Sequence, residues 1–192
     1  MSYSNFVSIG GNESVWDDLR IVPGAFEFAG VSDPALTTWQ PGGSGATFRV
    51  YEFASGDEVF FTCQLQHKYK VGTDLKPHVH WTPGDRGNEE NGNTVAWKVD
   101  YSWASINGVF APSTTVDLTD TCNGIDDRHE ISPSGTVVSA DQGISSMLVC
   151  RLYRDAGDTW SSAVVGQQPI LLEFDFHFEI DTLGSELETS KE

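Results

Sequence analysis

The chain is short of positive charge, of cysteine and of long apolar runs. Eleven Lys and Arg stand against 28 Asp and Glu, a formal net charge of −17. A surface of that balance repels phosphate backbones, so direct nucleic-acid binding is not expected; solubility is the simplest consequence. The three cysteines, Cys63, Cys122 and Cys150, have no CxxC spacing. That excludes a disulfide framework and a zinc-finger pattern. Cys63 and Cys150 sit in alternating apolar runs and are expected as small buried hydrophobes, with reduced thiols made in a cytoplasm. No apolar run approaches transmembrane length, and Met1 to Phe6 lack the basic and apolar regions of a signal peptide. No membrane partner is expected. Helical periodicity is equally scarce, with no segment keeping it beyond about two turns. The one exception is Ser14 to Leu19, which predicts a short helical turn with Ser14 as cap and Asp17 and Asp18 in its first turn.

What the chain has is alternation. Val59, Phe61, Cys63 and Leu65 alternate with polar or solvent-facing positions. So do Val95, Trp97, Val99, Tyr101 and Trp103, and then Leu172, Phe174, Phe176, Phe178 and Ile180. Period two over such lengths predicts strands with one core face. Shorter strands are expected at 47–54, 77–81, 114–118, 128–131 and 145–153. Nineteen Gly and eight Pro supply the turns between them. The expected fold is all-β, a two-sheet antiparallel sandwich of jelly-roll type. Residues 1–45 are turn-rich and read as an irregular N-terminal arm that packs on the domain or on a neighbour. Residues 46–185 form the sandwich, and 186–192 an acidic tail.

The richest local chemistry is Gly72-Thr73-Asp74-Leu75-Lys76-Pro77-His78-Val79-His80-Trp81-Thr82-Pro83. On a strand, His78 and His80 share one face and Val79 and Trp81 the other. The spacing from Gly72 through His78, His80 and Asp85 to Gly92 resembles the first motif of the cupin family, jelly-roll proteins in which two His and a Glu ligate a metal. That resemblance implies a metal-dependent enzyme using His78, His80 and either Asp85 or His177. Asp85 stands where the family has Glu, in a Pro-Gly turn. Lys76-Pro77 directly precedes the first His, and no second cupin motif is present. Hydrogen-bonded sheet or interface residues are the simpler reading of the two histidines.

Other chemistry is weaker. There is no GxSxG elbow and no Walker-type loop. Cys63 and His67 lie too far apart on a strand to act as nucleophile and base. The alternating carboxylates from Glu173 to Asp181 line up on one side and could bind a cation, but a solvated face or one meeting basic neighbours is the simpler reading. Asp117, Asp120, Asp126 and Asp127 lack the calcium-loop register. A carbohydrate-binding sandwich would need an exposed Trp39, Trp81 or Trp160 to stack on sugar.

Four segments carry a broader resemblance: Trp16-Asp17-Asp18-Leu19-Arg20, Asp74 to Pro83, Ser145 to Asp155, and Leu171 to Ser185. Their order resembles that of small structural proteins of tailed bacteriophages and prophages. The resemblance implies a non-enzymatic virion component of jelly-roll type, a capsid decoration, head-fibre or appendage protein. Such a protein is made in the host cytoplasm and often trimeric. Its partners would be itself, as a homotrimer, and major capsid or other virion proteins, with no cofactor. Phe6, Trp16, Phe26, Phe28, Trp39, His78 and His80 are the expected interface residues, since aromatic anchors are typical of such contacts.

Overall fold

The computed structural model describes residues 15–139, 142–188 and 190–191. Phe6 lies outside the described residues. Among the described residues twelve strands follow one another: β1 (Val15–Ile21), β2 (Ala35–Trp39), β3 (Phe48–Glu52), β4 (Glu58–Gln64), β5 (Lys76–Thr82), β6 (Thr94–Val95), β7 (Trp97–Ala104), β8 (Thr114–Asp117), β9 (Asp120–Thr121), β10 (Glu130–Ile131), β11 (Met147–Arg154) and β12 (Ile170–Ile180). One sheet runs β10-β5-β12-β3-β2, with β1 also paired to β12; the second runs β4-β11-β7-β8, and β6 and β9 form a small ribbon. Every pairing of these strands is antiparallel. The all-β expectation therefore holds.

The two larger sheets share one apolar core, because the alternating residues of each point inward. Val59, Phe61, Val99, Leu148 and Leu152 from one sheet meet Val79, Trp81, Phe174, Phe176 and Phe178 from the other. The rings of Phe61 and Phe174 lie 5.2 Å apart across this core. Cys63 and Cys150 are buried within it as free thiols. The Cys150 thiol is pushed well above its ordinary range by its neighbour Cys63 and by burial. Cys122 is also buried and free.

Two local expectations are corrected. Ser14, the expected cap, lies outside the described residues, and no helix begins at Val15 to Leu19: Val15–Ile21 is a strand whose seven residues pair with β12 from Ile180 to Phe174. Seven cross-strand pairs outweigh the weak helical preference of so short a segment. The 15–45 segment is likewise not an irregular arm, because it contributes β1 and β2 to the larger sheet. At the other end, Lys191 turns back to pair with Asp181.

Two further details depart from strict alternation. The strand expected from Thr94 onward breaks at Ala96, so that Thr94–Val95 pairs with β9 while Trp97–Ala104 pairs with β8 and β11. In β12 a bulge falls between Leu171 and Glu173. It leaves Leu172 outside the ladder and puts Leu171, not Leu172, opposite Trp81 in the core. Bulges re-aim side chains, and here the inward position passes from Leu172 to Leu171 while Glu173 keeps the outward side.

A buried polar network fastens the loops at one end. The Glu90 carboxylate is fully enclosed and accepts bonds from Ser161 Oγ at 2.6 Å, Ser161 N at 2.9 Å, Asn93 Nδ2 at 2.9 Å and Arg86 Nη2 at 3.1 Å. Burial pushes its pKa up, but these donors outweigh it and the net shift is downward. A carboxyl more acidic in the folded than in the unfolded chain stabilises fully above its ordinary value of 4.5. That stabilisation is lost as the pH falls through the lower folded value. Glu90→Gln is expected to cost about 1–3 kcal/mol at neutral pH and to flatten the acid limb of stability. Urea midpoints measured from neutral pH down into acid check both effects.

Candidate metal centre

Three adjacent strands build the site. In β5, Val79 and Trp81 enter the core, so Lys76, His78 and His80 face outward. Pro77 is tolerated because its backbone faces the irregular 132–137 segment, where its carbonyl accepts from Gly135 N at 3.0 Å, so the missing N–H removes no bond to β12. In β12, Phe174, Phe176 and Phe178 enter the core and leave Glu173, Asp175 and His177 outside. The register sets Asp175 opposite His78, Glu173 opposite His80 and His177 opposite Lys76. On the other edge, β1 sets Asp18 opposite His177 and Arg20 opposite Asp175. Residues directly opposite share a face, so all of these belong to one outer surface.

Asp175 is the centre of that surface and is only 2% exposed. Its Oδ1 lies 2.7 Å from His78 Nε2 and its Oδ2 lies 3.1 Å from His80 Nε2. His78 Nδ1 makes a long 3.4 Å contact with the Lys76 carbonyl. His80 Nδ1 lies 2.7 Å from His129 Nε2, and these two rings stack 5.0 Å apart. His129 sits in the loop just before β10, whose pairing with β5 carries it there. Further along, His177 Nδ1 lies 2.6 Å from Asp18 Oδ1, and Trp16 stacks on the His177 ring at 4.9 Å. Arg20 forms a two-pronged pair with Glu173.

Burial lowers the His78 pKa, but the Asp175 carboxylate more than offsets it and the net shift is upward. His129 goes the other way, lowered by burial and then by its neighbour His80. Beside the cluster lies an open groove of about 470 Å³ lined by Asp18, Arg20, His80, His129, Leu172, Glu173 and Asp175.

His78 and His80 thus come together as the strand period requires, and the carboxylate between them is Asp175. Asp85 does not join them. It is exposed in the short 3-10 turn Gly84–Arg86 and borders a separate polar groove of about 360 Å³ with Trp39, Glu52 and Gln168. His177 shares the outer face, its ring 6.4 Å from that of His78, but pairs with Asp18. Asp175 entered the sequence reading only as one of the alternating carboxylates of the last strand, and His129 not at all. The signal for Asp175 was its position two residues before His177 on an alternating strand. For His129 there was none, because only the pairing of β10 with β5 brings it near.

The expected interface aromatics divide. Phe26 is buried against Phe61, so it has no surface to offer a partner. Phe28 is exposed beside Tyr51, and Trp16 is 36% exposed on the histidine face. Trp39 is half-buried and donates to Asp127 Oδ1 at 2.6 Å. Trp81 and Trp160 are buried, and neither presents a ring to solvent.

The acidic stretches are occupied. Glu179 meets Lys70 at 2.6 Å. Asp117, Asp120 and Asp126 accept bonds from Thr119 N, Trp81 Nε1 and Asn88 respectively. Cys63 is buried, while His67 bonds Ser145 Oγ at 2.9 Å. Among the described residues no helix is long and apolar enough to cross a membrane. No protein-family model matches the chain, and no curated protein is significantly similar to it.

Proposed function

We propose that this chain is a non-enzymatic structural protein of a bacteriophage virion, of jelly-roll type. It would act as a decoration or appendage protein through protein–protein contacts. The observation that carries the reading is where the phage-like segments fall. Three of the four, holding Trp16 to Arg20, Asp74 to Pro83 and Leu171 to Ser185, are the side-by-side strands β1, β5 and β12. Their outward side chains share the outer side of one sheet, with Asp175 and His78 enclosed among them. The fourth, Ser145 to Asp155, supplies β11 at the centre of the opposite sheet. On the face the polar groups are already paired with one another around an exposed tryptophan, a composition suited to a partner surface. The partner is a second and third copy of the chain, with virion proteins beyond.

Light scattering on the purified protein is expected to give a trimer mass. Trp16→Ala should weaken association by about 30-fold, the scale of losing one aromatic anchor. A wild-type chain that stays monomeric at high concentration and does not bind capsid protein would overturn the reading. A second reading, a metal-dependent enzyme, is favoured by the convergence of His78, His80 and Asp175 beside a groove. It differs in requiring turnover of a substrate.

A further inference from the structure

We propose that His78 Nε2, His80 Nε2 and the Asp175 carboxylate together bind one divalent transition-metal ion per chain, of the zinc, cobalt or nickel type. The three side chains bring one ligand atom each to within 4.8 Å of one another. A tetrahedral or octahedral ion bound at about 2.0–2.2 Å needs its ligand atoms roughly 3–3.5 Å apart. The two carboxylate oxygens lie 2.7 and 3.1 Å from His78 Nε2 and His80 Nε2, close to that spacing.

Three features suit this hydrogen-bonded cluster to a cation. First, Asp175 Oδ1 is buried and has no hydrogen bond aligned on it, although His78 Nε2 is 2.7 Å away. In the ion-free chain a proton shared with His78 Nε2 holds this oxygen, and a metal would take over both atoms by displacing that proton. Second, the far nitrogens are already engaged. His78 Nδ1 lies 3.4 Å from the Lys76 carbonyl, an acceptor that favours a proton on Nδ1, so Nε2 is the nitrogen that can give up its proton to a metal. His80 Nδ1 faces His129 Nε2, which accepts when His80 carries its proton on Nδ1. Outer partners of this kind fix the tautomer of metal-ligating histidines. Third, the groove beside His80 and Asp175 leaves room for water or an added ligand to complete the coordination shell. Two imidazoles and one carboxylate select borderline transition metals over calcium or magnesium.

The site does not depend on the assembly reading, and it underlies the enzymatic one. An assay of binding, rather than of mass or turnover, lets each fail alone. Full-length protein stripped with EDTA is titrated with Zn²⁺ by calorimetry and with Co²⁺ by visible absorption. The expected result is one ion per chain, with visible bands whose intensity reports the coordination geometry. His80→Ala, at a half-buried position on the surface, should weaken binding by at least ~100-fold, and Asp175→Asn similarly. His177→Ala should leave the affinity unchanged. If Asp175→Asn does not fold, His80→Ala and His177→Ala carry the test. No saturable binding, a ratio below one ion per chain, or equal losses in His80→Ala and His177→Ala would overturn the proposal.

Discussion

Arg154→Ala is expected to cost the fold about 3–5 kcal/mol, the scale of breaking a buried ion pair by removing one partner. The Arg154 and Asp158 side chains are only 2% and 5% exposed. Arg154 Nε donates to Asp158 Oδ2 at 2.6 Å and Nη2 to Oδ1 at 3.1 Å. Its Nη1 donates to the Phe53 carbonyl at 2.7 Å and to Gln168 Oε1 at 2.8 Å. One guanidinium thus ties the end of β11 to the segment after β3 and to the loop before β12. Alanine leaves the Asp158 carboxylate buried without its cation and two further acceptors without donors. For a chain of this size the melting temperature should fall by roughly 10 °C. The double variant Arg154→Met, Asp158→Leu should recover much of the loss, since an apolar pair carries no desolvation cost. A single-variant loss below about 1 kcal/mol would place this pair with ordinary surface ion pairs.

Phe174→Ala should cost a similar amount, about 3–5 kcal/mol, by opening a cavity between the sheets. Phe174 is fully buried, with the Phe61 ring at 5.2 Å and the Phe176 ring at 4.9 Å. It lies next to Asp175 in the central strand, so its loss also loosens the backbone that presents the histidine face. Urea unfolding should show a lower midpoint with an unchanged slope. Phe48→Ala is the comparison, because Phe48 is 54% exposed and should change stability by no more than about 0.5 kcal/mol. Equal losses at the two positions would mean that the sheets do not share a core at Phe174.

The sequence showed the strands best where alternation was long. The runs through Val59, Trp97 and Phe174 all became strands with their apolar residues inward. It failed for β1, whose alternation of Asp, Leu, Arg and Trp is weak and whose strand state comes from its partner β12. It also missed the β12 bulge, because a one-residue slip depends on the neighbouring ladder and leaves no mark in composition. Asp85 illustrates the same limit. Its spacing from His80 suggested a ligand, yet a turn separates them and sends the carboxylate to solvent.

Period two by itself determined that His78 and His80 share a face opposite Val79 and Trp81, because successive residues of a strand must alternate. It determined the all-β class for the same reason, and composition determined the acidic surface. Only the tertiary structure decided that Asp175 stands between the two histidines, that His129 backs His80 and that Asp18 and Trp16 hold His177. Each of these contacts joins residues far apart in the chain. They are set by antiparallel register, which the packing of two sheets around one core selects.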